Sequence, residues 1–390
     1  MKKIIATIVT LFISVINILY IPNSTIHAQH QENISINSPV ALLMEFSTGQ
    51  IIYQKNINER KYPASMTKMM GLFVVLEKIK VGQIKYEDIV IVSENASSMG
   101  GSQVFLEPGE QITVNDLFKA ICIASANDAI VALGEHAYGS EETFIKEMNK
   151  TAKQLGMNET NFVNATGFHD PNHYTTANDM ATLALALLTD YKDDVLKYTS
   201  MYEGYIRENT EKPFWLVNTN KLVRFYEGLD GLKTGFTNAS RYNLTATAQR
   251  NDLRFITVVM DSETSSIRNS DTTTLMNYGF NNYKTVTLYK KGEVISTHTF
   301  NDAKEKNTQI VAKEEVKYVI KKNEEPSSIN VTLDISSQSA PISKETSIGK
   351  ILITNQSNGW QTFYNIYVKD DVEKLKFKEL LLIYWKALIN

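Results

Sequence analysis

Two side chains three positions apart could together perform acyl transfer. Ser65 and Lys68 lie in the stretch Pro63-Ala64-Ser65-Met66-Thr67-Lys68. Pro63 precedes a run of good helix formers, residues 66–79, so Ser65 is predicted to lie at or near a helix N-terminus. Residues three apart share a helix face, and an unprotonated lysine amine can then accept the serine proton. Alone, the pair is common and indicates an ordinary exposed helix start.

Two further short motifs follow in order along the chain, Ser125-Ala126-Asn127 and Lys233-Thr234-Gly235. A hydroxyl and an amide on one loop can relay a proton and hold a substrate amide. Lys-Thr-Gly on an edge strand can supply a positive charge, a hydroxyl for a carboxylate and a glycine beside which substrate backbone passes closely. A second lysine near Lys68 would also lower the pKa of Lys68 through like-charge repulsion. In this order the three motifs predict one mechanism, acyl transfer by a lysine-activated serine.

On these motifs the chain resembles the low-molecular-mass penicillin-binding proteins that are D-alanyl-D-alanine carboxypeptidases, a serine peptidase family related to the class A β-lactamases. The resemblance covers roughly residues 38–283. The segments that carry it are Ser65-Met66-Thr67-Lys68-Met69-Met70, Phe105-Leu106-Glu107-Pro108-Gly109, Ser125-Ala126-Asn127-Asp128-Ala129, Gly231-Leu232-Lys233-Thr234-Gly235-Phe236-Thr237 and Tyr242-Asn243-Leu244.

The resemblance implies a role for each motif residue. Ser65 is expected to be the acylated nucleophile, Lys68 its base, and Ser125 part of a proton relay. Arg268 stands where the family has an arginine that helps to bind the substrate carboxylate. The oxyanion donors are expected to be the backbone N–H groups of Ser65 and of a residue near Thr237. The expected substrate-binding residues are Asn127, Lys233, Thr234, Gly235, Thr237 and Arg268. No metal ion or cofactor is expected.

The implied reaction is removal of the terminal D-alanine from peptidoglycan stem pentapeptides that end in D-Ala-D-Ala, through an acyl-enzyme on Ser65. β-Lactam antibiotics would acylate Ser65 as mimics of that dipeptide. One alternative is a class A β-lactamase, but such enzymes carry Glu-x-x-Leu-Asn between the second and third motifs and Ser-Asp-Asn as the second, whereas this chain has Ala126 and no such segment. The other alternative is a catalytically silent cell-wall protein, which would not need all five of Ser65, Lys68, Ser125, Asn127 and Lys233.

Other catalytic classes lack their motifs. The chain has no Gly-x-Ser-x-Gly, His-Glu-x-x-His or Cys-x-x-Cys. His136, His169 and His173 are isolated, and the last two are predicted to lie in a polar loop near the chemistry but outside it. Cys122 stands in an apolar run and is predicted to be a buried small hydrophobe.

The elements that must position these motifs alternate between strands and helices. A hairpin is predicted around Ser47-Thr48-Gly49-Gln50, helices between residues 114 and 188, strands at 242–247 and 255–260, and a helix at 267–280. The expected fold class is therefore α/β (α+β): an antiparallel sheet covered by helices, with a helical lobe, as in the β-lactamase/transpeptidase-like fold. Short β-branched runs after residue 284 predict a small all-β domain.

The two ends of the chain predict export and a membrane surface. Met1-Lys2-Lys3, an apolar run and a small-residue site before Gln29 are typical of a signal peptide, although an uncleaved anchor is the alternative. Residues 372–390 place apolar residues on one helical stripe (Phe377, Leu380, Leu381, Tyr384, Trp385 and Leu388). This stripe favours an in-plane membrane helix over a helix docked on the protein itself. A formal net charge of −3 indicates no nucleic-acid partner.

The predicted domains are a signal peptide (1–28), a catalytic domain (29–283), a small β-rich domain (284–367) and an amphipathic membrane-associating helix (368–390). The predicted location is the outer face of a bacterial cytoplasmic membrane or the cell wall. The partners expected there are the stem peptide, β-lactams and, through the C-terminal helix, the membrane surface.

Overall fold

The structure is a computed structural model that describes residues 34–208, 210–336, 339–357, 359–379, 381, 385 and 389. The predicted signal peptide lies outside the described residues. The N-terminal region, residues 34–282, contains in chain order β1 (Val40–Glu45), β2 (Ile51–Lys55), α1 (Lys68–Lys80), β3 (Ile89–Ile91), α2 (Glu94–Ser97), β4 (Gln111–Thr113), α3 (Val114–Lys119), α4 (Asn127–Tyr138), α5 (Glu141–Gln154), α6 (Ala177–Asp190), α7 (Lys192–Thr199), β5 (Glu203–Ile206), β6 (Phe214–Val217), α8 (Leu222–Phe225), β7 (Leu229–Thr237), β8 (Arg241–Arg250), β9 (Leu253–Ser262) and α9 (Ser265–Asn282).

The central sheet is antiparallel, with strand order β2-β1-β9-β8-β7. The predicted hairpin is confirmed as β1 and β2, with Leu42 opposite Gln54. Successive side chains on a strand point to opposite faces, so both faces must be covered if both are apolar. Val258 of β9 packs on the helical lobe with Met70 of α1, whereas Val259 packs on α9 with Leu275. Strand β7 is left at one edge of the sheet, where a bound chain can approach it.

The helical lobe carries the second motif. The helices predicted between residues 114 and 188 are confirmed as α3 to α6, and α3 continues into a π-helical turn, Ala120–Ala124. Side-chain caps set the starts of α5 and α6, because Ser140 accepts the N–H of Thr143 and Thr176 accepts the N–H of Asp179. The apolar faces of these helices then pack into one core beneath the sheet.

The C-terminal β domain follows α9 and contains β10 (Tyr283–Tyr289), β11 (Val294–Thr299), β12 (Asn307–Ala312), β13 (Val316–Lys321), β14 (Ile329–Ile335), β15 (Ser347–Asn355) and β16 (Gln361–Val368). Its strands form a two-stranded sheet, β10-β13, and a five-stranded sheet, β11-β12-β16-β15-β14. Ile351 and Ile366 lie in its separate apolar core. The fold is therefore the mixed architecture predicted from the sequence, followed by an all-β domain.

The tail departs from the prediction at its start. Residues 372–376 are extended rather than helical, because Val372 exchanges two backbone hydrogen bonds with Ile342 and is 5% exposed. They therefore belong to the β domain. Helical geometry begins at Phe377, and Leu380, Tyr384 and Leu388 of the predicted stripe lie outside the described residues. In the part of the chain that the structure describes, no helix has the length and apolarity needed to cross a bilayer.

Candidate active site

Ser65 lies on a tight turn directly before α1. A 3₁₀ turn, Ala64–Thr67, leads into the helix, and Ser65 is half-buried between the buried residues Ala64 and Met66. Ala64 has a positive φ of 49°, which an alanine adopts only under strain. N–H groups at a helix start have no partner within the helix, so this turn can present donors to a developing negative charge.

Lys68 meets the serine hydroxyl from inside the protein. Its side chain is 0% exposed, and Nζ lies 3.0 Å from Ser65 Oγ and 2.9 Å from the carbonyl oxygen of Thr166. Burial is the main reason that the pKa of Lys68 lies well below its ordinary value. The charge of Lys233 lowers the pKa further, and Asp128 opposes both. This lowered pKa favours the neutral amine, which is the form that can accept the Ser65 proton.

The loop that contacts Lys68 was not singled out in the sequence. Asn164 Oδ1 accepts hydrogen bonds from Thr166 Oγ1, at 3.0 Å, and from the N–H of Gly167, at 2.7 Å. A Cβ on Gly167 would lie 1.9 Å from the carbonyl oxygen of Ala64, and only glycine permits this approach. The sequence does contain Asn164 three residues before a glycine, which is a pattern typical of turns. That pattern does not predict a contact with Lys68.

Ser125 and Asn127 lie where the π-helical turn meets α4. Ser125 has the left-handed conformation, with φ 64° and ψ 31°, and is 3% exposed. Asn127 donates from Nδ2 to the carbonyl oxygen of Gly100 at 2.7 Å, while its buried Oδ1 has no hydrogen-bond partner among the described residues. A buried, unpaired acceptor is suited to an N–H group of a bound molecule.

The third motif lies on edge strand β7. Lys233 is 2% exposed, and burial lowers its pKa to about 7, with the charge of Arg268 acting in the same direction. Thr234 Oγ1 lies 2.7 Å from Thr219 Oγ1. A Cβ on Gly235 would lie 2.5 Å from the carbonyl oxygen of Pro63. Glycine is therefore needed at position 235 because the turn Ala64–Thr67, which carries Ser65, packs directly on the strand. This reason differs from the predicted one, an open strand edge.

The second oxyanion donor was predicted near Thr237, and the hydrogen bonds of the β7–β8 turn narrow the choice of residue. The N–H of Thr237 donates to Ser240 Oγ at 2.8 Å, within the turn that joins β7 to β8. Successive N–H groups along a strand point to opposite sides. By this alternation we expect the N–H of Phe236 to face the open edge, which is consistent with the prediction of a donor near Thr237.

Arg268 is brought to the same region from the start of α9. It is 5% exposed and donates to Asn269 Oδ1 from Nη2 at 2.9 Å. Burial lowers its pKa to about 10, so the guanidinium stays charged at neutral pH. Below pH 7, where Lys233 is charged as well, the two side chains place two positive charges near the strand, which favours binding of an anion. Cys122 is buried as predicted, and burial raises the pKa of its thiol to about 12.

Comparison with known proteins agrees with this geometry. The sequence profile described as D-alanyl-D-alanine carboxypeptidase matches residues 25–264, and that described as Penicillin-binding protein 5, C-terminal domain, matches residues 283–374. The chain is 40% identical to the Bacillus subtilis D-alanyl-D-alanine carboxypeptidase DacF over 90% of each chain.

Solved structures show the same relationship. Penicillin binding protein 5 from Haemophilus influenzae superposes with a TM-score of 0.76 at 30% identity, covering 87% of this chain and 98% of that one. Penicillin-Binding Protein D2 from Listeria monocytogenes in its ampicillin-bound form has a TM-score of 0.57 at 32% identity, covering 64% of this chain and all of that one. This chain therefore belongs to the D-alanyl-D-alanine carboxypeptidase family of serine peptidases, the low-molecular-mass penicillin-binding proteins.

Proposed function

We propose that this protein removes the terminal D-alanine from peptidoglycan stem pentapeptides through an acyl-enzyme on Ser65. The observation that supports this mechanism best is the contact between Ser65 Oγ and a fully buried Lys68 amine, 3.0 Å apart. A neutral lysine can act as a general base at physiological pH, whereas an exposed lysine is almost entirely protonated.

Acylation follows from the positions of the donors. Lys68 takes the Oγ proton while Oγ forms a bond to the carbonyl carbon between the two D-alanines. The N–H groups of Ser65 and Phe236 stabilise the oxyanion. The C–N bond then breaks as Ser125 gives its hydroxyl proton to the departing amine and takes the proton held by Lys68, which leaves Lys68 neutral again, and free D-alanine leaves. Water next attacks the ester, releases the shortened stem peptide and regenerates Ser65.

The same site accounts for recognition of the C-terminus. Thr234 offers a hydroxyl, and Lys233 and Arg268 offer positive charge, to the carboxylate of the last D-alanine. Asn127 Oδ1 lacks a partner among the described residues and would accept an N–H of the stem peptide. An uncharged or amidated C-terminus would lose the cation contacts, so a terminal carboxylate is required.

The β-lactamase alternative needs a second base for rapid hydrolysis of the acyl-enzyme. The loop that contacts Lys68 reads Asn164-Ala165-Thr166-Gly167-Phe168 and contains no acid. Thr166 reaches Lys68 through a backbone carbonyl, which cannot act as a general base for water. β-Lactams are therefore expected to acylate Ser65 and to remain bound.

The proposed function is tested with the purified exported chain and two reagents, a fluorescent penicillin and a peptide that ends in D-Ala-D-Ala. Covalent labelling that persists, together with release of D-alanine, is the expected result. Rapid hydrolysis of penicillin would instead identify a β-lactamase. The absence of both labelling and D-alanine release would identify a catalytically silent protein. Ser65→Ala should abolish both labelling and D-alanine release, whereas Ser97→Ala, which changes a helical serine that is half-buried like Ser65, is the matched control. Parent-like D-alanine release by Ser65→Ala would refute the mechanism.

We further infer that the C-terminal segment lies on a membrane surface. Four apolar side chains at four-residue spacing remain uncovered by the protein: Phe377 (75% exposed), Leu381 (54%), Trp385 (69%) and Ile389 (68%). Side chains four apart form one helical stripe, and an uncovered stripe next to lysines is typical of an in-plane membrane helix. A helix docked on its own protein would bury this stripe.

Vesicle binding tests this inference. The full exported chain should co-sediment with phosphatidylglycerol-containing vesicles. The double variant Phe377→Ser, Trp385→Ser should bind at least about tenfold more weakly, since each aromatic side chain contributes roughly 1.5–3 kcal/mol on burial. Phe363→Ser, which changes an aromatic residue that is 54% exposed on the β domain, is the control. Equal binding by all three chains would contradict the inference. An outer-face location also requires export, and N-terminal sequencing of the exported protein should begin at Gln29.

A further inference from the structure

His173 lies directly behind the nucleophile turn, outside the residues assigned to substrate. Its imidazole is 1% exposed, and Nε2 lies 2.8 Å from Oγ1 of Thr67, which stands between Ser65 and Lys68 in the chain. Nδ1 accepts the backbone N–H of Val163 at 3.1 Å. Because Nδ1 is an acceptor, the ring proton is on Nε2 and is donated to Thr67. One neutral imidazole therefore ties the start of α1 to the start of the loop 163–168.

The same loop contains the carbonyl group of Thr166, which accepts a hydrogen bond from the Lys68 amine. From Val163 the chain reaches Thr166 within three residues, and Asn164 Oδ1 braces the turn between them through Thr166 Oγ1 and the N–H of Gly167. The carbonyl oxygen of Thr166 then lies 2.9 Å from Lys68 Nζ. The loop has little room to shift, because Gly167 packs directly on the backbone of Ala64.

The position of this carbonyl affects the chemistry of the amine. A neutral lysine amine has two N–H donors and one lone pair, and only the lone pair can accept the Ser65 proton. When Thr166 takes one N–H, rotation about the last carbon–nitrogen bond is restricted and the lone pair can face Ser65 Oγ. If the carbonyl moved, the amine could instead donate to the serine, which is unproductive for proton abstraction.

We propose that His173 is a positioning residue for acylation: its neutral Nε2–H form, bonded to Thr67 and Val163, holds the Thr166 carbonyl where it orients Lys68. The inference rests on the proposed function of Ser65 and Lys68 and adds a residue that touches neither substrate nor the reacting atoms. A purely structural role, in which the ring only packs on Phe162 at 5.7 Å, makes a different prediction because packing does not require the two hydrogen bonds.

The charges around the imidazole are consistent with a permanently neutral ring. Burial lowers the pKa of His173 to about 4, although the carboxylate of Asp170, two residues beyond the loop 163–168, opposes the shift. The helix start presents the uncharged hydroxyl of Thr67, and the loop presents the N–H of Val163. Burial also lowers the pKa of the Lys68 amine well below its ordinary value, which favours the uncharged form. Protonation of Nδ1 would remove the acceptor for Val163.

Three variants separate positioning from packing. His173→Leu removes both hydrogen bonds and keeps an apolar side chain, Thr67→Val removes one bond with almost no change in shape, and His173→Gln offers both an acceptor and a donor. The measurements are the rate constant of Ser65 acylation at saturating penicillin, the penicillin concentration at half-saturation, the dependence of the rate on pH, and the thermal midpoint.

We expect His173→Leu and Thr67→Val to lower the acylation rate constant about tenfold, with the half-saturating concentration nearly unchanged, because the lost orientation acts in the transition state. The acid limb of the pH profile should also move, since the environment of the Lys68 amine changes. His173→Gln should recover most of the rate. In the parent, nitrogen NMR of His173 should show the Nε2–H form from pH 5 to 8.

Several results would overturn the inference. One is a folded Thr67→Val variant with the parent's rate constant and pH profile, and this variant decides alone if His173→Leu does not fold. Another is an Nδ1–H imidazole, or a charged one at pH 7, in the parent. In either case the parent would still label at Ser65, so the proposed function would stand. If the parent itself did not label, the proposed function would fail first.

Discussion

The N-terminal region and the C-terminal β domain bury very different side chains. The N-terminal region buries Lys68, Lys233 and Arg268 close enough for their charges to interact. Among the described residues of the β domain, by contrast, Asn355 is the buried polar side chain, and the ion pairs are at the surface, as for Lys304 and Glu373. Burying an amine or a guanidinium group costs free energy. The N-terminal region bears this cost at the residues proposed for catalysis, whereas the described part of the β domain does not.

The backbone shows the same contrast. In the N-terminal region non-glycine residues with positive φ flank the site, including Ala64 (φ 49°), before the nucleophile, and Ser125 (φ 64°). In the described part of the β domain positive φ falls on glycines, such as Gly292 (φ 77°). Strained backbone persists only where the surroundings hold it, and it concentrates at sites that need a fixed geometry. The strands of the β domain pair antiparallel, and the register shift between β15 and β16 falls at Gly349, where a glycine takes the positive φ.

The largest expected effect comes from removing the buried amine of Lys68. Lys68→Met should lower the Ser65 acylation rate by about 10²–10⁴, the usual contribution of a general base. It should also stabilise the fold by roughly 1–2 kcal/mol at neutral pH, because the unfolded lysine is charged and folding must remove its proton. The gain should shrink as pH rises toward 10.5, the ordinary lysine pKa, where the unfolded amine also loses its charge.

Stopped-flow labelling and urea unfolding at several pH values measure both parts of this prediction. Lys192→Met, an exposed change at the start of α7, is the control and should alter neither quantity. If Lys68→Met were less stable than the parent at neutral pH, the proposed contrast between a destabilising buried amine and a stabilising apolar core would be wrong. That result would mean that the buried amine stabilises the fold.

The opposite pattern is expected in the β domain. Ile351→Ala creates a cavity at a fully buried position and should destabilise the domain by about 2–5 kcal/mol. The acylation rate constant of the folded protein should stay unchanged, since no site residue contacts this core. Leu333→Ala, at a partner position that is 38% exposed, should cost much less. An acylation defect in folded Ile351→Ala would show that the β domain takes part in shaping the site.

The smallest expected effect is a shift in pH dependence. In Lys233→Met one cause of the low pKa of Lys68 is gone, so that pKa should rise and the acid limb of the acylation profile should move to higher pH. Burial, the larger cause, remains. Because Lys233 loses its own charge as pH rises through about 7, the limb shift should arise below pH 7. Labelling rates from pH 4 to 9 measure it, and an acid limb that moves to lower pH would contradict the like-charge contribution.

Much of the site could be predicted because its candidate residues lie in short motifs that follow one another in a fixed order along the chain. Ser65 and Lys68 are neighbours on one turn, so their contact needs only local structure. The hairpin at Ser47-Thr48-Gly49-Gln50 and the helices α3 to α6 were predictable for the same reason, since apolar spacing and turn residues are local signals. The extended residues 372–376 were not, because Val372 pairs with the distant Ile342, and a long-range partner leaves no periodic signal.

The amino-acid sequence by itself determined the order of the motifs and predicted the nucleophile and its base, because side-chain chemistry and near-neighbour spacing are carried by the chain. Only the tertiary structure decided which backbone groups complete the site. The Thr166 carbonyl on Lys68 and the Val163 N–H on His173 are backbone groups, which carry no information about residue type. Their function depends on where the fold directs them, and direction is a property of the packed chain rather than of residue type.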